Sequence, residues 1–429
     1  MIDWLFNNTP FYLMTQSFWR DEAFSYLMAR MPILQMLYTT ARDFNPPLYY
    51  GILHFWMNIF GSSEVAIRSL SLIFFAISVL YFLLFLVDIL KVPEKRAHIY
   101  VLLYALNPFL LYYGIEARMY SLFALLTLCA FYYLLKKEWK WYAVFTTLAL
   151  YTHYFFLFAL VTQIIYMVLY EREELKKKFK YFIAPIIIFI PWIYYALPTL
   201  LHKTNEFWIT ALSPFQAINT IGVLFTGYEP IWVFYDKYII FVSIMLLIIL
   251  GYFLTRKLHH DKHLSMLLLW AFGAYFTIAI ISFVKPLFVP RYLIFSAVGF
   301  NLLLAYMMEH VPQRTKIIIG VILFTMLIHY SYNESLFKRK GNIRKTLHEI
   351  STLAGPNDVV YVTNPGAYFT ASYYIRDRKV FIYQSPESVP YFVGLALIPS
   401  SSIIQLLPSY PVKAFVLKDD FQYEIVSSQ

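Results

Sequence analysis

Long apolar runs recur along this chain. They lie at approximately residues 67–90, 97–115, 119–135, 141–152, 153–170, 181–199, 231–254, 264–284, 292–308 and 315–331. A hydrocarbon core of roughly 30 Å needs about twenty apolar residues in a helix. Repeated runs of that kind leave one broad answer, a polytopic α-helical membrane protein. Composition agrees: 60% of the residues are hydrophobic and 14% are charged, and the mean hydropathy is +0.58. A soluble domain carries about a quarter charged residues.

The net charge of +10 would suggest nucleic acid on a soluble surface, but no basic stripe interleaved with aromatics is present. The Lys and Arg residues sit instead in short segments between apolar runs: "KVPEKRAH", "KKEWK", "EREELKKKFK", "RKLHHDKH" and "EHVPQRTK". Short loops rich in Lys and Arg face the cytoplasm. All five agree on one orientation if 141–170 is two short helices hinged near "THY". Residues 1–66, 114–120, 152–155, 200–230, 285–292 and everything after about 332 then face outward. The lone cysteine, Cys129, lies in an apolar run, which excludes an intrachain disulfide framework and a cysteine metal site.

Residues 23–60 alternate apolar stretches with Arg30, Arg42 and Asp43. They read as amphipathic helices lying in the outer interface, and "NPP" sets the start of the second. Upstream of Asp21 only about twenty residues remain, interrupted by "NNTP", so either the N-terminus lies flat on the outer surface or a first membrane helix is truncated. Beyond Lys338 the pattern changes. "NIRKTLHEISTLAG" has helical spacing, "DVVYVT", "KVFIY" and "KAFVLKD" are strand-like, and "GAYFTASYYI" reads as a helix. This alternation predicts a small extracytoplasmic α/β domain.

On that topology the polar residues gather on the outer side: Asp21 and Glu22, Glu116 and Arg118, His153 and Tyr154, and Lys285, Arg291 and Tyr292. Charge at membrane level is costly unless paired or wet, and so marks function. The chemistry that fits is group transfer. A carboxylate takes the proton of an attacking acceptor, while cations hold a departing lipid phosphate. Asp21 as base with Arg118, Lys285 and Arg291 as phosphate clamps meets both needs. Plainer roles fit the same residues. Asp21 and Glu22 suit the first turn of a helix, Glu116 and Arg118 suit a local turn, His153 an interface hydrogen bond and Arg291 a snorkelling anchor.

"WRDEAFSYLMAR", "DFNPPLYYGILHFWMNIFGSSEVAIRSLS", "NPFLLYYGIEARMYSLFALL", "THYFFLFALVTQ" and "VPRYL" occur in this order. As an ordered set over about residues 17–310 they resemble the family 39 membrane glycosyltransferases. That group is of the GT-C class and is related to protein O-mannosyltransferases and the lipid A aminoarabinose transferase. The resemblance implies a GT-C fold of about 10–11 transmembrane helices, with a transmembrane glycosyltransferase domain over 1–331 and the α/β domain over 332–429. It implies a polyprenyl-phosphate-linked sugar as donor, used in the outer leaflet. The first acid of the family's DE pair maps to Asp21, the proposed catalytic base, with Glu22 beside it. The acid of the second outer loop maps to Glu116, with Arg118 and Tyr120 following it. The later "RY" element maps to Arg291 and Tyr292, and the "HY" element to His153 and Tyr154. Asn45, Pro46, Pro47 and Tyr49 of the "NPPLYY" element complete the expected substrate-binding set.

The expectation is a glycosyltransferase of a prokaryotic plasma membrane, acting on a protein, glycan or lipid acceptor. Rival readings are a transporter or flippase for a lipid-linked sugar, and a non-catalytic subunit of a cell-envelope glycan assembly. No cofactor is required. Asp21, Glu22 and Glu116 would hold a divalent cation only if they converged, and no ligand spacing demands one.

Overall fold

The computed structural model describes residues 9–201, 208–227, 239–255 and 261–428. Three short helices come first: α1 (Arg20–Ala29), α2 (Ile33–Thr40) and α3 (Leu48–Phe60). Helix α4 (Glu64–Leu84) runs on through a π-helical turn at Phe85–Ile89. Then follow α5 (Glu94–Ala105), α6 (Pro108–Ile115), α7 (Tyr120–Leu135), α8 (Trp139–Leu150), α9 (Phe156–Tyr170), α10 (Arg172–Lys178), α11 (Lys180–Leu201), α12 (Pro214–Thr226) and α13 (Ile239–Leu254). Helix α14 (Lys262–Leu268) passes through a second π-helical turn into α15 (Ala274–Ser282). A 3₁₀ turn at Pro290–Leu293 leads into α16 (Ile294–Glu309), followed by α17 (Gln313–Phe337).

The run expected as one span over 97–115 is broken. Helices α5 and α6 meet at 67°. Pro108 cannot donate to the helix ladder, and Asn107 restarts it by accepting the Leu110 N–H at 3.1 Å. Among the described residues, five helical segments are long and apolar enough to cross a membrane, or six if the bent pair is one span. About ten or eleven were expected. Part of the difference is length: α7 and α9 are apolar but only 16 and 15 residues long, and the run expected over 231–254 lies partly outside the described residues. At 1.5 Å per residue α7 and α9 reach roughly 24 Å, short of a full core. Exposed Ile187 and Ile190 on α11, and Ile317 and Val321 on α17, give these helices the greasy outer surface that lipid requires. The architecture is that of a multi-pass membrane protein.

The C-terminal part builds α18 (Ile343–Leu353), β1 (Val359–Val362), α19 (Ala367–Tyr374), β2 (Val380–Tyr383), β3 (Ile403–Ile404), β4 (Ala414–Leu417) and β5 (Tyr423–Val426). The sheet order is β3-β2-β1-β4-β5. All neighbours are parallel except β4 and β5. A parallel sheet with helical crossovers is the α/β arrangement that the alternating strand and helix patterns predicted.

The chain divides into two compact units, one of residues 1–13, 71–193 and 209–338 and one of 14–70, 194–208 and 339–429. In the first, α16 is the central helix, with 89% of its span buried. Its Gly299 lets the Trp270 ring lie against the backbone, where a Cβ would come within 2.7 Å of Trp270 Cγ. The second unit groups α1 to α3 with the sheet, whereas the linear division was expected at 331/332. The reason is aromatic packing. Phe24 meets Phe369 at 5.4 Å and Tyr26 meets Tyr373 at 4.8 Å between ring centroids, so α1 is fastened to α19.

Candidate active site

In the helical unit the expected polar residues lie on three connections. Glu116 caps the C-terminus of α6, and Glu116, Arg118 and Tyr120 are all buried. The Arg118 N–H donates to the Glu116 carbonyl at 2.7 Å. That is a tight local turn, the alternative left open by their spacing of two. Tyr120 opens α7, with its ring 5.0 Å from that of Tyr113.

His153 lies in the turn between α8 and α9, stacked on Phe123 at 4.8 Å and 5.2 Å from the Tyr292 ring. Its Nδ1 accepts the Phe155 N–H at 3.1 Å. A ring nitrogen that accepts carries no proton, so the neutral imidazole holds its hydrogen on Nε2. That Nε2–H is buried and has no acceptor among the described residues. Burial lowers the His153 pKa, and the charges of Arg118 and Arg291 lower it further, to about 3. Arg291 and Tyr292 come from the 3₁₀ turn that leads into α16, and Arg291 is buried. Two guanidiniums therefore act electrostatically on one neutral imidazole that presents a donor. Tyr154 points elsewhere, accepting from Trp192 Nε1 at 3.0 Å. Lys285 is exposed, and among the described residues it forms no ion pair or cation–ring contact with this cluster.

In the second unit, Glu22 is fully buried and accepts from Arg68 Nε at 2.7 Å, Arg68 Nη2 at 2.6 Å and Lys340 Nζ at 2.8 Å. Arg68 also donates to the carbonyls of Met14, Gln16 and Ser17. Burial would raise the Glu22 pKa, but the charges and hydrogen bonds of Arg68 and Lys340 prevail and hold it at about 2. The Trp19 N–H also reaches Glu22 Oε2 at 3.5 Å, the helix-start role noted from the sequence. Asp21 next to it keeps 17% of its side chain exposed and lies 3.8 Å from Arg20 Nε. Asn45 donates to Asp43 Oδ2 at 3.3 Å. Pro46 and Pro47 are buried ahead of α3, and Tyr49 is fully buried in it.

The structure thus gathers Arg118, Tyr120, His153, Arg291 and Tyr292 in one unit. Asp21, Glu22 and the Asn45–Tyr49 stretch belong to the other. Two residues escaped the sequence reading. Arg68 lies inside the quoted "SEVAIRSLS" element near the start of a span, where a cation demands a partner. Lys340 lies in a segment read only as a composition change. No group of three His, Cys, Asp or Glu side chains forms a metal site among the described residues.

Residues 45–195 match the family model described as "Dolichyl-phosphate-mannose-protein mannosyltransferase". Most of the chain is similar in fold to ArnT from Cupriavidus metallidurans. The apo structure matches with 10% identity and a TM-score of 0.61, over 87% of this chain and 82% of that one. The structure bound to undecaprenyl phosphate matches with 11% identity and a TM-score of 0.64, over 94% and 90%. No curated protein sequence matches. The chain is thus similar to the family 39 glycosyltransferases and carries an ArnT-like GT-C membrane fold.

Proposed function

We propose that this protein is a glycosyltransferase that moves a sugar from a polyprenyl-phosphate donor to an acceptor at the outer face of the membrane. The observation that carries the reading is the Arg118, His153 and Arg291 cluster. Two buried guanidiniums and an imidazole Nε2–H without an acceptor are a set of donors suited to phosphate oxygens. Leaving a buried donor unmade costs about 1–3 kcal/mol, which a bound phosphate offsets. The fold agrees, since the similar ArnT structure is bound to undecaprenyl phosphate.

In the proposed reaction the acceptor oxygen or nitrogen attacks the anomeric carbon as the bond from that carbon to the phosphate oxygen breaks, inverting the centre. The acceptor proton passes to the Asp21 carboxylate. The polyprenyl phosphate departs as an anion held by Arg118, Arg291 and His153. Asp21 suits the base role better than Glu22, because Glu22 is fully engaged with Arg68 and Lys340 whereas Asp21 remains partly open to solvent.

The test is to incubate the purified protein with a panel of polyprenyl-phosphate sugars and follow donor consumption. Asp21→Asn is expected to lower turnover by about 10²–10⁴-fold with unchanged membrane insertion and melting temperature. Near-normal turnover in that variant would remove Asp21 from the mechanism. Absence of donor consumption across the panel with wild-type protein would count against the transferase reading itself.

A further inference from the structure

The second unit contains a cavity of about 440 Å³ lined by Arg30, Arg376, Arg378 and Lys379, with Ser372 and Ser402 among the hydroxyls. No carboxylate lines it among the described residues. Arg30, Arg376 and Lys379 have no ion-pair partner among those residues. Arg378 pairs with the adjacent Asp377 at 3.2 Å, so three of the four cations lack an acid in a protein where Glu22, Glu64, Glu171 and Glu309 each hold cations.

The arginines are positioned before any ligand arrives. The Arg376 guanidinium lies 5.2 Å from the Tyr26 ring centroid and 5.1 Å from that of Tyr373. Its Nε donates to the Tyr373 carbonyl at 3.1 Å and its Nη1 to Ser62 Oγ at 3.3 Å. Arg30 lies 5.8 Å from the same Tyr26 ring, which is itself buried. One aromatic ring therefore contacts two guanidiniums of like charge. Arg378 is anchored through the carbonyls of Ser351, Ala354 and Gly355. Such an arrangement loses little side-chain entropy when an anion binds.

We infer that this cavity binds a phosphate-bearing group, as a site separate from the transfer chemistry. Three cations without an ion-pair partner, with Arg378 and flanking hydroxyls beside them, favour a dianion over a single carboxylate, and planar guanidiniums give paired hydrogen bonds to phosphate oxygens. The volume falls within the range of small-ligand pockets and holds a phosphorylated sugar or headgroup. Arg376 also lines a neighbouring cavity of about 760 Å³ with Lys345 and His348, where Arg344 is already paired with Glu64 at 3.0 Å.

The test uses the full chain in nanodiscs and measures binding without any sugar donor, so its outcome does not depend on the proposed transfer reaction. Inorganic phosphate and glucose 1-phosphate are titrated into discs of phosphatidylcholine, and again into discs that also contain phosphatidic acid. Saturable binding in the neutral discs is expected. Arg30→Gln and Arg376→Gln should each weaken it about ten-fold or more, while Lys418→Gln, at a surface pair with Glu424, leaves it unchanged. Arg376→Lys should fall between, keeping the charge but not the fork. If the soluble ligands bind in neutral discs but are excluded by phosphatidic acid, the site is assigned to lipid headgroups. If they bind equally in both discs, it is assigned to a soluble phosphate ester. Should Arg376→Gln melt early, the exposed Lys379→Gln decides, with a several-fold loss expected. No saturable binding in either disc, or equal affinity in wild type and all cavity variants, overturns the proposal.

Discussion

Glu22 and His153 show opposite ways of burying a titratable group. Glu22 stays charged because Arg68 and Lys340 surround it, whereas His153 stays neutral because burial and two arginines oppose its proton. The folded Glu22 pKa, about 2, lies below its ordinary 4.5. Its stabilisation is therefore complete above pH 4.5 and is lost as pH falls toward 2. Glu22→Gln leaves Arg68 buried without its anion and should cost about 3–5 kcal/mol, read as a lowered melting temperature at pH 7. Adding Arg68→Met should not restore stability, because the carbonyls of Met14, Gln16 and Ser17 lose their donor as well. For His153 the fall from 6.5 to about 3 predicts a transfer rate with no His153 inflexion between pH 5 and 8. Below pH 6.5 the unfolded chain takes a proton that folded His153 refuses, so stability declines there, and His153→Phe should flatten that slope. An inflexion near 6.5 that vanishes in His153→Phe would show the imidazole titrating in the folded enzyme and remove the neutral-donor role. Much of this was legible in the sequence, since charges in so apolar a chain demand an explanation. What no spacing revealed is the full engagement of Glu22 by Arg68 and Lys340, 46 and 318 positions away along the chain.

At the scale of elements, hydrophobic patterning located helices well and described their geometry poorly. It separated α8 from α9 at "THY" and identified α18, β1, α19, β2 and β4. It missed β3, a two-residue strand, and β5, a half-exposed edge strand, because neither has the buried run that marks the inner strands. Nor did it anticipate the bend at Pro108 or the two π-helical turns, since apolarity reports burial or lipid contact and not the path of an axis. Gly299 illustrates a constraint visible only in three dimensions. Trp270 cannot retreat from a new Cβ, because its ring is stacked on Phe131 at 3.9 Å and 5°. Gly299→Ala should therefore destabilise the helical unit by about 1–3 kcal/mol through overpacking, although alanine favours helix. A melting temperature at or above wild type would mean the Trp270 stack yields readily. Gly320→Ala on α17, where the nearest atom is the flexible end of Met308 at 3.4 Å, serves as the comparison and should be near neutral.

For the whole molecule the decisive question is sidedness, and ion pairs now bear on it. Glu171 pairs with Lys137 at 3.1 Å and with Lys262 at 3.0 Å, so three of the five basic loops converge within the helical unit. Glu309 pairs with Arg96 at 2.6 Å and with Lys316 at 3.6 Å, joining the other two. Loops tied together in this way belong at a common membrane surface, and on the proposed orientation their Lys and Arg content would make that surface the cytoplasmic one. Helix α17 leaves the second of these groups and runs for 25 residues, roughly 37 Å at 1.5 Å per residue, which exceeds a bilayer core. The segment after Lys338 should accordingly emerge outside. Cys129 is buried at 1% exposure and provides a silent background for single-cysteine labelling. Ser401→Cys, ahead of β3, should react with a membrane-impermeant maleimide in intact cells. Lys176→Cys, on α10 between two spans, should react only after the membrane is permeabilised. The reverse pattern would place Asp21 in the cytoplasm if its segment shares the side of Ser401, and an outer-leaflet donor could not then reach it. Labelling of both sites in intact cells would instead show that α17 does not cross the bilayer.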